Sequence, residues 1–175
     1  MHVDEQSREG IMVEDNSIPA ELMRMLGQET ESPGTEVVDS SAIRRYAAAL
    51  NDLNPLYLDD EHAKKTGYGG IIAPPTFIFD VTNDVFAPVG EDGRDLRRIQ
   101  RPPGYRGLRG GNEYEFIQPV RPGDIISRKR KIIDVYQKPG RKSGPITFVI
   151  SETSYFNQRG DLLAKNRETA MYVKS

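Results

Sequence analysis

The chain contains no cysteine, no tryptophan and only two histidines among its 175 residues. Without cysteine it can form no disulfide framework, no thiolate nucleophile and no cysteine-ligated zinc or iron–sulfur centre. Two histidines, one of them His2 near the start of the chain, leave little for a histidine-rich metal site. We therefore expect no metal and no resident cofactor. The lack of cysteine also fits a reducing, cytoplasmic compartment.

An excess of charge of one sign is also missing. The 24 Lys and Arg nearly balance the 26 Asp and Glu, for a net charge of −2, which argues against a nucleic-acid partner. No apolar run approaches a membrane span and no signal-peptide pattern precedes residue 20, so we expect no membrane association. The length favours one domain. Residues 1–16 are polar and without period, which predicts a mobile tail before a domain at 17–175.

Hydrophobic spacing predicts several helices in the first half of the chain. They cover 17–27, a stretch from a Ser40 or Ser41 cap to Leu50, a short polar stretch at 59–66, and 76–87. The helix at 76–87 is apolar almost all round, which is typical of a helix enclosed by the rest of the structure. Residues 35–38 predict a short strand. Residues 88–112, rich in glycine, proline and arginine, predict a long loop.

The last third of the chain predicts strands. Alternation near Tyr114 and Phe116 predicts one strand. An extended run at 124–136, alternation at 146–151 and a final strand at 161–173 predict three long antiparallel strands that form a meander. A basic run at 129–131 predicts a sheet edge or a solvated face. With one buried helix before the strands, the predicted class is α+β, a curved antiparallel sheet wrapped around a central helix.

Residues 43–77 read IRRYAAALNDLNPLYLDDEHAKKTGYGGIIAPPTF, and residues 119–124 read PVRPGD. The aromatic Tyr46, the Asp-x-Asn-Pro core at 52–55 and the two proline-containing stretches resemble the signature of the MaoC-like hydratase/dehydratase family. The resemblance spans about residues 17–173. It implies a hot-dog fold that pairs into a double hot dog. It also implies addition of water to an enoyl thioester, or its loss from a 3-hydroxyacyl thioester, with CoA present only as part of the substrate.

The resemblance places Asp52 at the family's catalytic carboxylate position, with Asn54 beside it. Tyr57, however, stands where the family has its histidine, and tyrosine titrates about three units above the useful pH range. Pro75 stands where the family has a glycine at the start of the central helix, and proline lacks the N–H that would stabilise the thioester oxyanion. Asn51 also replaces a glycine. These departures resemble the non-catalytic halves of MaoC-like enzymes.

We therefore expect a subunit that binds an acyl-CoA or carrier-bound acyl thioester and works as a heterodimer with a His-bearing catalytic subunit. Two alternatives stay open, a non-catalytic acyl-CoA-binding homodimer and an active homodimeric hydratase that uses Asp52. The candidate substrate-binding residues are Pro75, Thr76, Arg98, Arg101, Arg106 and Arg109. Guanidinium groups suit the phosphates of CoA or of a carrier arm, although a solvated loop would have the same composition.

Structural interpretations compete with the functional ones at three residues. Asp52 follows a predicted helix, so it can be a turn residue. Tyr57 can pack as an amphipathic ring in an inter-subunit seam. His62 lies on a polar helix and is expected at the surface.

Overall fold

The structure is a computed structural model that describes residues 18–82, 90–91, 101–140 and 144–175. Its helices are α1 (Ala20–Arg24), α2 (Ser40–Ala49), α3 (Pro55–Leu58), α4 (Asp60–Lys64) and α5 (Phe77–Val81). Its strands are β1 (Glu29–Ser32), β2 (Tyr105–Phe116), β3 (Ser127–Pro139), β4 (Pro145–Phe156) and β5 (Leu162–Lys174). All strand pairs are antiparallel, and the strand order is β1-β3-β4-β5-β2. The α+β class and the β3-β4-β5 meander are confirmed.

One face of the sheet carries two apolar clusters. The larger joins the sheet to α2, α3, α4 and α5, and includes Phe77 and Ile78, each 2% exposed, together with Tyr155 of β4. The smaller surrounds Leu22 of α1 and includes Val149 of β4. Val149 and Tyr155 are six residues apart in one strand without a register shift between them, so both point to the same face. Phe77 and Ile78, at the start of the apolar helix predicted at 76–87, are thus buried as expected.

The predicted helices at 17–27, 40–50 and 59–66 correspond to α1, α2 and α4. The cap of α2 is Asp39 rather than a serine, because its Oδ1 accepts from the backbone N–H groups of Ser41 and Ala42 at 2.7 and 2.8 Å. Of the predicted helix at 76–87, α5 supplies residues 77–81, while residues 83–87 lie outside the described residues. The predicted tail at 1–16 also lies outside them.

Two predictions about strands are wrong, and a third is right in one of its two alternatives. Residues 105–112 are not loop but the first part of β2, which pairs with β5 along its whole length. No strand forms at 35–38, where Val37 makes only an isolated bridge to Ile125. The strand in this part of the chain is β1, which lies earlier at Glu29–Ser32. Residues 129–131 are not at an edge, because they pair with β1 on one side and β4 on the other. Lys129 and Lys131 are exposed, so the alternative prediction of a solvated face is confirmed.

Candidate functional site

Helix α2 ends in a turn that sets the position of Asp52. The N–H of Asn51 donates to Ala48 O at 3.0 Å, and the N–H of Asp52 donates to Ala47 O at 2.9 Å. This pair of bonds is the Schellman pattern, whose penultimate residue adopts a left-handed conformation. Asn51 has φ 54°, and asparagine tolerates this region better than most residues that carry a Cβ. The turn therefore accepts asparagine in place of the family's glycine.

The motif's carboxylate and amide each bond the backbone two residues further on. Asp52 Oδ1 accepts from the N–H of Asn54 at 3.2 Å, and Asn54 Oδ1 accepts from the N–H of Leu56 at 3.1 Å. Asn54 thereby caps α3, in which Pro55 occupies the first position. Asp52 and Asn54 are both half-buried. Their structural interpretation as turn residues thus describes part of what they do.

Tyr57 is brought next to these two residues. Its ring is 8% exposed and belongs to the larger apolar cluster of its own chain, so the expected inter-subunit seam is wrong for this ring. Burial raises the pKa of the Tyr57 hydroxyl and the Asp52 carboxylate raises it further, while a hydrogen bond with the Asn54 side chain opposes the shift. At neutral pH Tyr57 is therefore a hydrogen-bond donor and not a general base.

The start of α5 is tied to α2 by Tyr46. Its hydroxyl donates to Thr76 Oγ1 at 3.1 Å, and its ring meets that of Phe77 edge-on with centroids 5.3 Å apart. Pro75 and Thr76 are both exposed. Tyr46 is recognisable in the sequence as a motif residue, whereas its contact with Thr76 is not predictable from the sequence. Its place in the motif was the signal available.

The candidate arginines do not form one loop. Arg106 and Arg109 lie on β2 opposite Val173 and Ala170, and residues three apart in a strand point to opposite faces of the sheet. Both are exposed, as is Arg101 before the strand, whereas Arg98 lies outside the described residues. A phosphate-binding role for these arginines stays a prediction.

The remaining histidine of interest is at the surface. His62 lies on α4, and its backbone N–H donates to Asp59 Oδ1 at 3.0 Å. Its side chain is exposed, which confirms its interpretation as a surface residue. Within the described ranges, His, Asp and Glu form no group of three that could hold a metal ion. No helix in this part of the chain is long and apolar enough to cross a membrane.

The strand order, the curved sheet and the enclosed helix start define the hot-dog class. Structures of this class resemble the chain over most of its length. A MaoC-like dehydratase from Rhodospirillum rubrum has a TM-score of 0.63 at 20% identity, covering 86% of this chain and 93% of that one. The ChsH1–ChsH2 complex from Mycobacterium tuberculosis has a TM-score of 0.65 at 19% identity, covering 86% and 88%.

The family model described as FAS1-like, dehydratase domain region, matches residues 24–166. The chain therefore belongs to this family of MaoC-like dehydratases, as its motifs predicted. It is 28% identical over 160 residues to a probable enoyl-CoA hydratase alpha subunit of Thermomonospora curvata, covering 87% of this chain and 50% of that protein. The chain spans about half the length of the curated relatives that it matches.

Proposed function

We propose that this chain is the acyl-thioester-binding subunit of an enoyl-CoA hydratase or 3-hydroxyacyl-thioester dehydratase, completed by a His-bearing hot-dog subunit. The observation that carries the proposal is Tyr57. A buried phenol stands beside Asp52, in the position where the family has its histidine. The hydro-lyase class follows from the family, while the division of labour between two subunits is our inference.

The reaction needs two proton transfers. In hydration, the water oxygen bonds to C3 of the enoyl thioester, one proton leaves the water, and one proton is delivered to C2. Groups with pKa values near the working pH perform such transfers best. Asp52 supplies one carboxylate. Tyr57, whose pKa is raised, can orient a water molecule by hydrogen bonding but does not take its proton. We assign the second proton-transfer group to the partner.

The developing charge on the thioester oxygen also needs a donor. Pro75 has no N–H, and the N–H of Phe77 is already donated to Pro74 O at 2.9 Å. Loss of one oxyanion donor costs about 10²- to 10³-fold in kcat. A chain that lacks both this donor and the histidine should therefore turn over negligibly alone. The alpha-subunit name of one relative and the two-component complex among the structural neighbours support a second subunit.

We further propose that the partner pairs with the edge of β2 that no described strand occupies. This strand is bonded to β5 on one side, and ten of its twelve residues are exposed. Its first half carries Arg106 and Arg109 and its second half carries Glu113 and Glu115. An antiparallel strand with the same order of charges would place opposite charges face to face, as a homologous subunit would. This edge is also the surface through which a second copy would associate.

The test is an assay of crotonyl-CoA hydration, in which the loss of enoyl absorbance measures the reaction. The chain is purified alone and after co-expression with a His-bearing hot-dog subunit from the same genome. We expect no turnover from the chain alone and turnover from the co-purified complex. A partner whose motif histidine is replaced by alanine is the matched control and should return the complex to background.

Each alternative has its own outcome. Turnover by the chain alone that Asp52→Ala abolishes would identify an active homodimer and overturn the two-subunit assignment. A chain that binds acyl-CoA as a homodimer, captures no hot-dog subunit and stays inactive would be a binding module. In the complex, Tyr57→Phe should preserve folding and most of the activity, because the ring contacts remain and the hydroxyl is not the base.

A further inference from the structure

A polar band separates the two apolar clusters on the helix-bearing face of the sheet. Directly opposite residues of antiparallel strands share a face, so the register defines rows across the sheet. One row runs from Arg130 through Thr153 and Asn166 to Tyr114, and the next from Ile132 through Ser151 and Glu168 to Asn112. Four strands thus contribute polar side chains to a surface with apolar residues on both sides.

Most of this band is internally satisfied. Arg130 Nη2 donates to Ser151 Oγ at 3.1 Å and lies 3.8 Å from a carboxylate oxygen of Glu168. The Asn166 amide lies close enough to the Tyr155 hydroxyl to oppose part of the rise in its pKa. The two opposite charges compensate each other, so the band is electrically close to neutral.

Two acceptors are exceptions. The Oδ1 atoms of Asn112 and Asn166 are buried, and no described group donates a hydrogen bond to either. Asn166 is 9% exposed. Asn112 lies opposite Glu168, two residues from Asn166 in β5, so the two amides are diagonal neighbours on adjacent strands. Buried polar atoms in folded proteins almost always have partners, so a pair of adjacent unpaired acceptors indicates a donor other than the described groups.

The band lies one aromatic layer away from the candidate site. Phe79 of α5 has its ring centroid 4.5 Å from that of Tyr114 and 5.6 Å from that of Tyr155. Tyr114 is directly opposite Asn166, and Phe79 is one helical turn beyond Thr76. An acyl chain that starts at Thr76 would cross apolar rings before it reached the two acceptors.

We propose that Asn112 and Asn166 bind a hydroxyl group carried on the acyl part of the substrate, remote from the thioester. The inference rests on the proposed function for the thioester itself. Both unpaired atoms are acceptors, so the ligand group is a donor. The donor is uncharged, because Arg130 already compensates Glu168 and Arg128, opposite Tyr155, adds positive charge to this face. The subunit would then select hydroxylated acyl thioesters over plain alkyl ones.

The test compares matched ligands by calorimetry on the full chain and on its complex. The probes are octanoyl-, decanoyl- and dodecanoyl-CoA and their terminally hydroxylated counterparts, which vary how far the hydroxyl reaches. At one chain length we expect the hydroxylated form to bind at least about tenfold more tightly, the effect of one well-placed hydrogen bond. Asn112→Leu should remove this preference, so that the hydroxylated and plain forms bind with the same affinity. Ser154→Ala, on the opposite face of β4, should keep it.

Other outcomes overturn the proposal. Equal affinities at every chain length would mean that water or the partner subunit, and not the substrate, satisfies the two oxygens. No binding of any probe, or a preference that survives Asn112→Leu, would also contradict it. Asn166→Leu gives a second reading if Asn112→Leu does not fold, and circular dichroism reports folding in each case. Failure of the two-subunit assignment shows instead in turnover, which the binding measurement does not use.

Discussion

The two edges of the sheet are built in opposite ways. Strand β1 has four residues, and its Glu29 and Glu31 lie opposite Lys131 and Lys129 of β3, with Lys129 Nζ 3.5 Å from Glu31. Strand β2 has twelve residues, interrupted by a register irregularity between Arg109 and Gly111, and its second half adds exposed aromatic side chains. One edge is short and charged, while the other is long and partly apolar.

This difference indicates which edge accepts another chain. Short edge strands with charged side chains are a common protection against edge-to-edge pairing. A long, exposed strand is the opposite case, a template for further pairing. Behind it lies an aromatic layer in which Phe79 contacts Tyr114, Phe116 and Tyr155. The aromatic layer links the open edge to the start of α5, so a partner at β2 would lie close to the candidate site.

The largest expected effect comes from reversing charge at the open edge. Arg106→Glu or Glu115→Arg should each weaken association by at least about tenfold, because like charges brought face to face cost several kcal/mol. Lys131→Glu, the counterpart beside β1, should leave association unchanged. Sedimentation of the chain with its co-purified subunit measures all three.

The double variant with both Arg106→Glu and Glu115→Arg separates the possible occupants of the edge. Two copies of the double variant would again face each other with opposite charges, so a homodimer would recover. Association of the double variant with an unmodified partner subunit would stay weak. Equal weakening by reversals at both edges would contradict the contrast between them.

One glycine near each edge of the sheet leaves no room for a side chain, so alanine substitutions there test the two edges through stability. A Cβ at Gly110 would lie 2.7 Å from Thr169 Cγ2, and a Cβ at Gly34 would lie 2.6 Å from Ile125 Cγ2 and 2.8 Å from Ile126 O. Alanine at either position should lower the free energy of unfolding by about 1–3 kcal/mol, the usual cost of overpacking.

Only one of these two substitutions should affect assembly. Gly110→Ala displaces β2 from β5 and should also weaken association, whereas Gly34→Ala should lower stability alone. Gly67→Ala, where a Cβ would meet nothing within 4 Å, is the control. Denaturant titration and sedimentation give the two readouts, and unchanged assembly by Gly110→Ala would count against the β2 edge as the docking surface.

The elements that were predictable from the sequence depend on local signals. Helix α2 and the turn at Asp52 follow from apolar spacing and from residues that cap within a few positions. The first part of strand β2, residues 105–112, was missed because glycine and charge hide its alternation, and its partner β5 lies far along the chain. The same holds for β1, whose strand character comes from pairing with β3.

In the candidate site too, features set by neighbouring residues were predictable, and features set by tertiary packing were not. The positions of Asp52, Asn54 and Tyr57 in one turn were predictable because they are neighbours in the chain. The burial of Tyr57 was not, because it depends on packing by several helices and strands. The polar band had no sequence signal at all, since each of four strands contributes only one or two of its residues.

The smallest expected effect concerns Tyr155, which lies in the aromatic layer behind the open edge. Burial raises the pKa of Tyr155 to about 12, against about 10 in an unfolded chain. Between these values the folded state binds more protons than the unfolded state, so stability is intact below pH 10 and falls as the pH rises. The loss amounts to about 1.4 kcal/mol by pH 11.

Tyr155→Phe should remove this part of the alkaline loss, because phenylalanine has no proton to give up. Tyr136→Phe, on the β1 side of the sheet in β3, removes a hydroxyl elsewhere and should keep the loss, since Tyr155 is intact. Denaturant titrations at several pH values between 9 and 11 compare the slopes, so a constant offset from the lost Asn166 contact does not matter. The same alkaline slope in Tyr155→Phe as in the natural chain would show that this hydroxyl is not buried behind the β2 edge.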